Sequence, residues 1–368
     1  MSLLHLEASK CVRSLSVKSE CNKCELVCPT TAIVVGKNPL PAINFSTCIS
    51  CGACLGVCPT EALHLDNFSA TDFFFDFVED KTQNLISCRK NVPCIAALSV
   101  EHILSIAVLK KELVLDVGYC SGCEIAHTCH EQILKNYEEA SYLLEAMQND
   151  AQIKLENVCF VQEAASKPDR REFLAALNLQ NVVKVKKSFE DEVKKASDEL
   201  TQHTLQKADF ALLKQKRIPQ KRKIFFTAIK RLQKPSQFHR VDAAEVSFTS
   251  QKIMDEAACT VCQMCYRVCP TGALTSDIKN SKIDFDPFLC VKCHICHDVC
   301  EPNAITLSGV YNVQEFFEPK VVNLVTFKVR KCDECNIIFS TNTNERLCYR
   351  CKCEEEEARE LWGIREER

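Results

Sequence analysis

Glycine is scarce in this chain, with 8 in 368 residues. None falls in a G-x-G-x-x-G or G-x-x-x-x-G-K-[ST] run, so the backbone cradles that dinucleotides and nucleoside triphosphates need are missing. No nucleotide cofactor is expected. Long apolar runs are missing too. The longest, 95–109, is broken by Ser99, Glu101, His102 and Ser105 and is too short to cross a bilayer, so no transmembrane segment is expected. The opening MSLLHLEASK shows no charged region ahead of an apolar one, so no secretory leader is expected. No nucleophile–base arrangement or acid–base pair stands out, and independent catalysis is not expected. The net charge of −3 selects no partner by itself.

Cysteine is the residue present in excess: 27, with none between Cys159 and Cys259. Disulfide frameworks of that density belong to short secreted chains. A reduced, cytoplasmic protein whose thiols bind metal is the simpler reading. The cysteines fall into groups at 11–58, 88–159, 259–300 and 332–353.

The third group reads CTVCQMCYRVCP from Cys259 and CVKCHICHDVCEP from Cys290, each half C-x2-C-x2-C-x3-C. Three closely spaced thiolates wrap three corners of a [4Fe–4S] cube, and the fourth leads off to the other cube. The expected sets are Cys259, Cys262, Cys265 and Cys300 for one, and Cys290, Cys293, Cys296 and Cys269 for the other. Glu301 intervenes before Pro302, a departure from the C-P of the other halves. Two structural zinc sites fit this tandem spacing poorly.

The first group repeats the pattern with a gap. CISCGACLGVCP from Cys48 is complete, but CNKCELVCP from Cys21 has Lys18 where the first cysteine belongs. Cys11 stands upstream across a nine-residue loop, and loop closure costs little more at that length. The sets expected are Cys11, Cys21, Cys24 and Cys58, and Cys48, Cys51, Cys54 and Cys28. A three-cysteine cluster with an exchangeable corner, or an idle Cys11, are the alternatives. Both groups resemble bacterial-type two-cluster ferredoxins, in a polyferredoxin-like pair. The resemblance implies a small doubled βαβ core, buried here under Ile33, Ile43, Ile283 and Ile305, around each pair of cubes.

The fourth group is C-x2-C, twelve residues, C-x2-C, the spacing of a zinc ribbon on Cys332, Cys335, Cys348 and Cys351. Residues 337–339 suit its strand and 342–345 its turn. Cys353 is a rival to Cys351, and iron an alternative metal. The acidic tail reads as a helix that caps the ribbon with Leu361 and Trp362.

Between the groups, strands at 84–88, 112–118 and 156–161 alternate with helices at 95–109, about 123–148, and 171–179, which suggests a small parallel α/β sheet. Cys88, Cys94, Cys120 and Cys123 would gather at the carboxyl ends of its strands to hold a further cluster or a zinc. His127, Cys129 and His130 are rivals; buried core thiols or a redox C-x-x-C are the plain alternatives. The frame resembles the iron–sulfur module of hydrogenase delta subunits. Cys159 reads as core.

From Lys214 to Arg240 there are ten Lys or Arg and no Asp or Glu. The segment 223–232 is amphipathic through Phe225, Ile229 and Leu232, and reads as a helix packed on that face and otherwise solvated. His294 and His297 read as surface or hydrogen-bonding residues.

The expected fold is α+β and multidomain: a dicluster domain at 1–68, an α/β module at 69–180, a basic helical connector at 181–245, a dicluster domain at 246–318 and a zinc ribbon with an acidic helix at 325–368. The expected function is single-electron relay through four [4Fe–4S] clusters, with one zinc, to or from a larger oxidoreductase. An accessory or assembly factor for such an enzyme is the alternative. A third reading is a redox-sensing nucleic-acid binder, for which the basic run is the only support.

Overall fold

The computed structural model describes residues 4–158, 212–213 and 215–363. Helix 171–179, Cys159 and residues 181–211 of the connector lie outside them.

The chain opens with β1 (Leu4–Leu6), followed by α1 (Lys23–Leu26), a hairpin of β2 (Ile33–Val34) and β3 (Ala42–Ile43), α2 (Ala53–Val57) and β4 (Leu63–Leu65). β4 returns antiparallel to β1, with Leu4 opposite Leu65. Leu63 and Leu65 point inward and His64 outward, the period-2 alternation of a half-buried strand. The elements are short because each only spans the gap between cysteine loops.

A three-stranded parallel sheet follows α3 (Ala70–Glu79). It comprises β5 (Leu85–Ile86), α4 (Val100–Lys110), β6 (Glu112–Asp116), α5 (Ala126–Ala146) and β7 (Gln152–Glu156), in strand order β5-β6-β7. Val100 through Val108 of α4 are all buried, as its lack of a polar face requires. The last strand, expected at 156–161, instead ends at Glu156. In QIKLE the apolar Ile153 and Leu155 alternate, which seats one face on the sheet, and the ladder with β6 runs from Glu112 opposite Gln152 to Asp116 opposite Glu156.

α6 (Gln220–Lys230) buries Ile224, Phe225, Ala228 and Ile229. Against the expectation that the rest of this helix is solvated, Lys221 and Arg222 are buried as well, at 4% and 1% exposure.

The second dicluster unit repeats the first. β8 (Arg240–Asp242) precedes β9 (Lys252–Met254), α7 (Met264–Arg267), β10 (Leu274–Thr275), β11 (Lys282–Phe285), α8 (Ile295–Asp298) and β12 (Ile305–Leu307). β9 pairs with β12 as β1 does with β4, and β10 with β11 as β2 does with β3. After β12 come β13 (Val310–Asn312), α9 (Gln314–Phe317) and β14 (Val322–Thr326). β13 pairs with β8 and β14 extends the β10-β11 hairpin, so residues 240–242 share a sheet with 310–312. Ile33, Ile43, Ile283 and Ile305 are all buried.

The chain closes with the hairpin β15 (Lys328–Lys331) and β16 (Ile338–Thr341), then α10 (Tyr349–Leu361). Leu361 and Trp362 are 85% and 81% exposed, so they do not cap the hairpin. α10 leaves the hairpin at its first turn, where Cys351 is buried, and carries its acidic remainder into solvent.

Candidate metal centres

The cysteine loops repeat in backbone as well as sequence. In CISC-G, CTVC-Q and CVKC-H, the residue before the second cysteine and the one after it both lie in the left-handed region: Ser50 and Gly52, Val261 and Gln263, Lys292 and His294. Non-glycine residues adopt this conformation at a cost of roughly 1–2 kcal/mol each, so it signals a loop held tightly round something. The loop at Cys21 lacks the pair. Lys18 stands where its first cysteine belongs, and Asn22 has φ −135°.

A second repeat follows each fourth cysteine. Thr31, Glu61, Gly272 and Asn303 all have positive φ three residues after Cys28, Cys58, Cys269 and Cys300. The turn aims backbone N–H groups at sulfur: Ala32 donates to Cys28 Sγ at 3.2 Å and Ala62 to Cys58 Sγ at 3.2 Å.

The sulfurs gather crosswise. One cavity is lined by Cys28, Cys48, Cys51 and Cys54, and another by Cys269, Cys290, Cys293 and Cys296. Cys11 lies with Cys21, Cys24 and Cys58. Burial, then the charge of Cys58, pushes its thiol up to about 12. Burial and the neighbouring sulfurs Cys296, Cys259 and Cys262 push Cys265 up to about 12, and Cys300 lies beside Cys259. Packing thiolates together in low dielectric is uphill unless a cation sits among them. Soft thiolates in three-plus-one sets, with N–H donors turned on sulfur, suit an iron–sulfur cube.

The carbonyls beside these cysteines are bonded by side chains from elsewhere. Lys221 Nζ donates to Cys58 O at 2.6 Å, Lys216 Nζ to Cys269 O at 2.6 Å, and Arg222 to Cys290 O at 3.0 Å. All three come from the basic run. Lys221 also lies 3.9 Å, and Arg222 2.6 Å, from the buried carboxylate of Glu101 on α4. Glu61, just past Cys58, accepts from the backbone N–H groups of Gln220 and Lys221 at 2.6 and 3.0 Å, an acid at a helix N-terminus. Sequence reasoning missed this clamp. Nothing local distinguishes a buried lysine from a solvated one.

The two dicluster units meet directly. Val12, Leu15 and Cys21 pack against Val268, Ile295, Val299 and Cys293. Glu20 N–H donates to Asp298 at 3.0 Å, and Lys18 pairs with Glu301. His294 caps α8, and His297 Nε2 is 2.8 Å from Lys252 Nζ.

In the α/β unit, Cys88, Cys94, Cys120 and Cys123 line one cavity of about 270 Å³ at the carboxyl ends of β5 and β6, with Asp116, Cys129 and His130. Cys94 caps the short helix Ile95–Ala97, and Cys120 begins another. Burial and then Cys94 and Cys88 push Cys120 up to about 11.

Cys332, Cys335, Cys348 and Cys351 bring their sulfurs within 4.8 Å of one another, closely enough for a single ion. Tetrahedral zinc with Zn–S of about 2.3 Å needs sulfurs about 3.8 Å apart, and Cys335 and Cys348 are 3.6 Å apart. Burial opposes the Cys332 thiolate, but the N–H groups around it prevail and hold it down at about 6. Cys353, two residues further along α10, is outside the set. The loop that follows β16, where the sequence placed the ribbon's turn, bonds to the second dicluster unit, Asn342 donating to Glu256 O at 2.8 Å and Cys259 O at 2.5 Å; the turn between the two strands instead spans 332–337. No helix among the described residues is long and apolar enough to cross a membrane.

Residues 19–63 and 251–301 each match a family described as a 4Fe-4S dicluster domain. A 42-residue stretch is 43% identical to one component of the Na(+)-translocating ferredoxin:NAD(+) oxidoreductase complex of Acetobacterium woodii, covering 11% of this chain and 13% of that component. The chain therefore spans only a small part of that relative's length. What spacing, backbone and similarity agree on is that the protein carries two 4Fe-4S dicluster ferredoxin domains, one on either side of its α/β unit.

Proposed function

We propose that this protein is an iron–sulfur electron-transfer protein serving a larger oxidoreductase, with four [4Fe–4S] clusters on the sixteen cysteines paired crosswise above. The observation that carries the reading is the positive-φ turn three residues after each fourth cysteine, present in all four cysteine runs, with the paired left-handed loop at three of them. When bound, each cube supplies a one-electron couple with little rearrangement. The chain's own residues place the thiols, donate N–H to sulfur, and set Lys221, Lys216 and Arg222 against the flanking carbonyls, where positive charge offsets the anionic sets. Cys11 takes the place Lys18 leaves vacant.

The four-cysteine hairpin holds one zinc, as a ribbon. The cavity on Cys88, Cys94, Cys120 and Cys123 takes a further iron–sulfur cluster rather than zinc, because among the described residues only the hairpin set is compact enough for a single ion. The relay is favoured over an assembly factor because the hairpin is tied down on the Cys259 loop, leaving it poorly placed to seek clients. The nucleic-acid reading weakens for a like reason: Lys216, Lys221 and Arg222 are spent internally.

The test is anaerobic purification of the full chain with iron, sulfide and zinc counts. About sixteen iron for the four cubes, further iron for the α/β site and about one zinc are expected; Cys348→Ala should remove the zinc alone. A folded, colourless, iron-poor protein refutes the reading.

A further inference from the structure

The two dicluster units meet through residues that flank proposed ligands on both sides. Val12 follows Cys11, Val268 precedes Cys269, and Ile295 stands between Cys293 and Cys296. All three are buried, and they pack into one cluster with Cys21 and Cys293. One ligand set from each unit therefore brings a sulfur to this junction. The other two sets face elsewhere. The Cys51 loop lies against the α/β unit, where a Cβ on Gly52 would come within 2.9 Å of Ala97 Cβ. Cys262 is exposed, in the loop that Asn342 holds through Cys259 O.

Lys23 spans the junction. It stands between Cys21 and Cys24, at the position that Ala53, Met264 and Ile295 hold in the other three runs. Three runs carry an apolar residue there, and this one a cation. Its Nζ lies 3.4 Å from Lys292 O, the carbonyl next to Cys293. On the other side of Cys21, Glu20 N–H donates to Asp298 at 3.0 Å. The chain is thus tied to the second unit both before and after Cys21. Two anionic thiolate sets this close repel each other in a low dielectric. A cation between them offsets the repulsion and favours added negative charge on either side alike.

We propose that the two units exchange electrons at this junction, between the Cys21 set and the Cys293 set, and that Lys23 is the positioning residue that ties the two ligand runs together and places a positive charge between them. The inference rests on the ligand sets proposed above. It makes the chain one relay rather than two. The order runs from the α/β cavity through the Cys48 set, the Cys21 set and the Cys293 set to the Cys259 set, with Cys262 at the exposed end. At the junction one centre is oxidised by one electron and its neighbour is reduced by that electron. No bond forms or breaks and no proton moves. Local net charge is among the determinants of cluster potential, so one cation here raises the potential on both sides.

The test uses the full chain, purified anaerobically, as wild type, Lys23→Met and Lys23→Arg, with iron and sulfide counted and potentials followed by electron paramagnetic resonance during reductive titration. Cys21→Ser and Cys293→Ser each alter one signal and so identify the two centres at the junction. Both Lys23 variants should keep the wild-type iron. In Lys23→Met those two signals should shift to lower potential by more than any other, and Lys23→Arg should restore both. In the fully reduced chain the Cys21 signal should be broadened by a spin coupling that Cys293→Ser changes. If only the Cys21 signal moves in Lys23→Met, Lys23 serves its own unit and the proposal falls. It falls too if neither signal moves, if arginine behaves as methionine, if Lys23→Met loses iron, or if Cys293→Ser leaves the Cys21 signal as it was. A wild-type chain without iron would instead overturn the ligand assignment on which this inference rests.

Discussion

Replacing Arg222 by methionine should destabilise the protein far more than removal of any surface cation. The guanidinium is 1% exposed and donates to Glu101 at 2.6 Å, Phe248 O at 2.8 Å and Cys290 O at 3.0 Å, and also to Phe288 O. It sits over the Phe248 and Phe288 rings, 5.3 and 5.6 Å from their centroids. Methionine replaces much of the stem's packing but no donor. Glu101, 1% exposed, keeps only Lys221 at 3.9 Å, and three carbonyls lose a partner. Removing one partner of a buried ion pair costs about 3–5 kcal/mol, because a desolvated charge is left behind. Anaerobic urea unfolding of the cluster-loaded chain measures the loss. Arg222→Met with Glu101→Gln should recover a large part of it, since the orphaned charge is gone. Lys154→Met is the control; its pair with Glu112 is exposed and screened by solvent, so its loss should leave stability nearly unchanged. If Arg222→Met costs no more than Lys154→Met, or the double variant recovers nothing, the idea of an internal ionic clamp is wrong.

Two further outcomes follow from the same packing. Burial raises the Glu139 carboxyl from 4.5 to about 7 although Ser247 N–H donates to it at 2.7 Å. The folded state therefore holds this proton more tightly than the unfolded one, and stability should fall as pH rises from about 4.5 to about 7; thermal melts of Glu139→Gln across that range should show a flatter profile than wild type. Gly56→Ala forces a Cβ into Ala96 O at 2.3 Å, and small-to-large changes of this kind cost about 1–3 kcal/mol. Faster proteolysis of Gly56→Ala at the seam between the first dicluster unit and the α/β sheet, relative to wild type, would register the separation.

The thiol sets are legible because a cube dictates ligand spacing locally, and the C-x2-C-x2-C-x3-C runs carry it within eleven residues. Cys11 can be placed because loop closure is cheap, and the structure brings it beside Cys21 and Cys58. The α/β unit shows through its apolar periodicity, although the pattern puts β7 four residues late: ENVCFV looks more strand-like than QIKLE, and only pairing with β6 decides. Lys221 and Arg222 are not legible. Each owes its role to groups far off in the chain, such as Cys58 O 163 residues from Lys221, and no local pattern marks such a meeting. The exposed Leu361 and Trp362 mislead for the opposite reason, since apolar residues at a helix end need no partner to exist.

Lys18 and Glu301 are the two places where the fourfold cysteine pattern breaks, one by losing a thiol and one by an inserted acid. They are paired with each other. Both are half-exposed or more, so the pair adds little energy. Its consequence is asymmetry: two near-duplicate units could otherwise associate like with like, and opposite charges at matching flaws tell the amino-terminal copy which face of the other to meet.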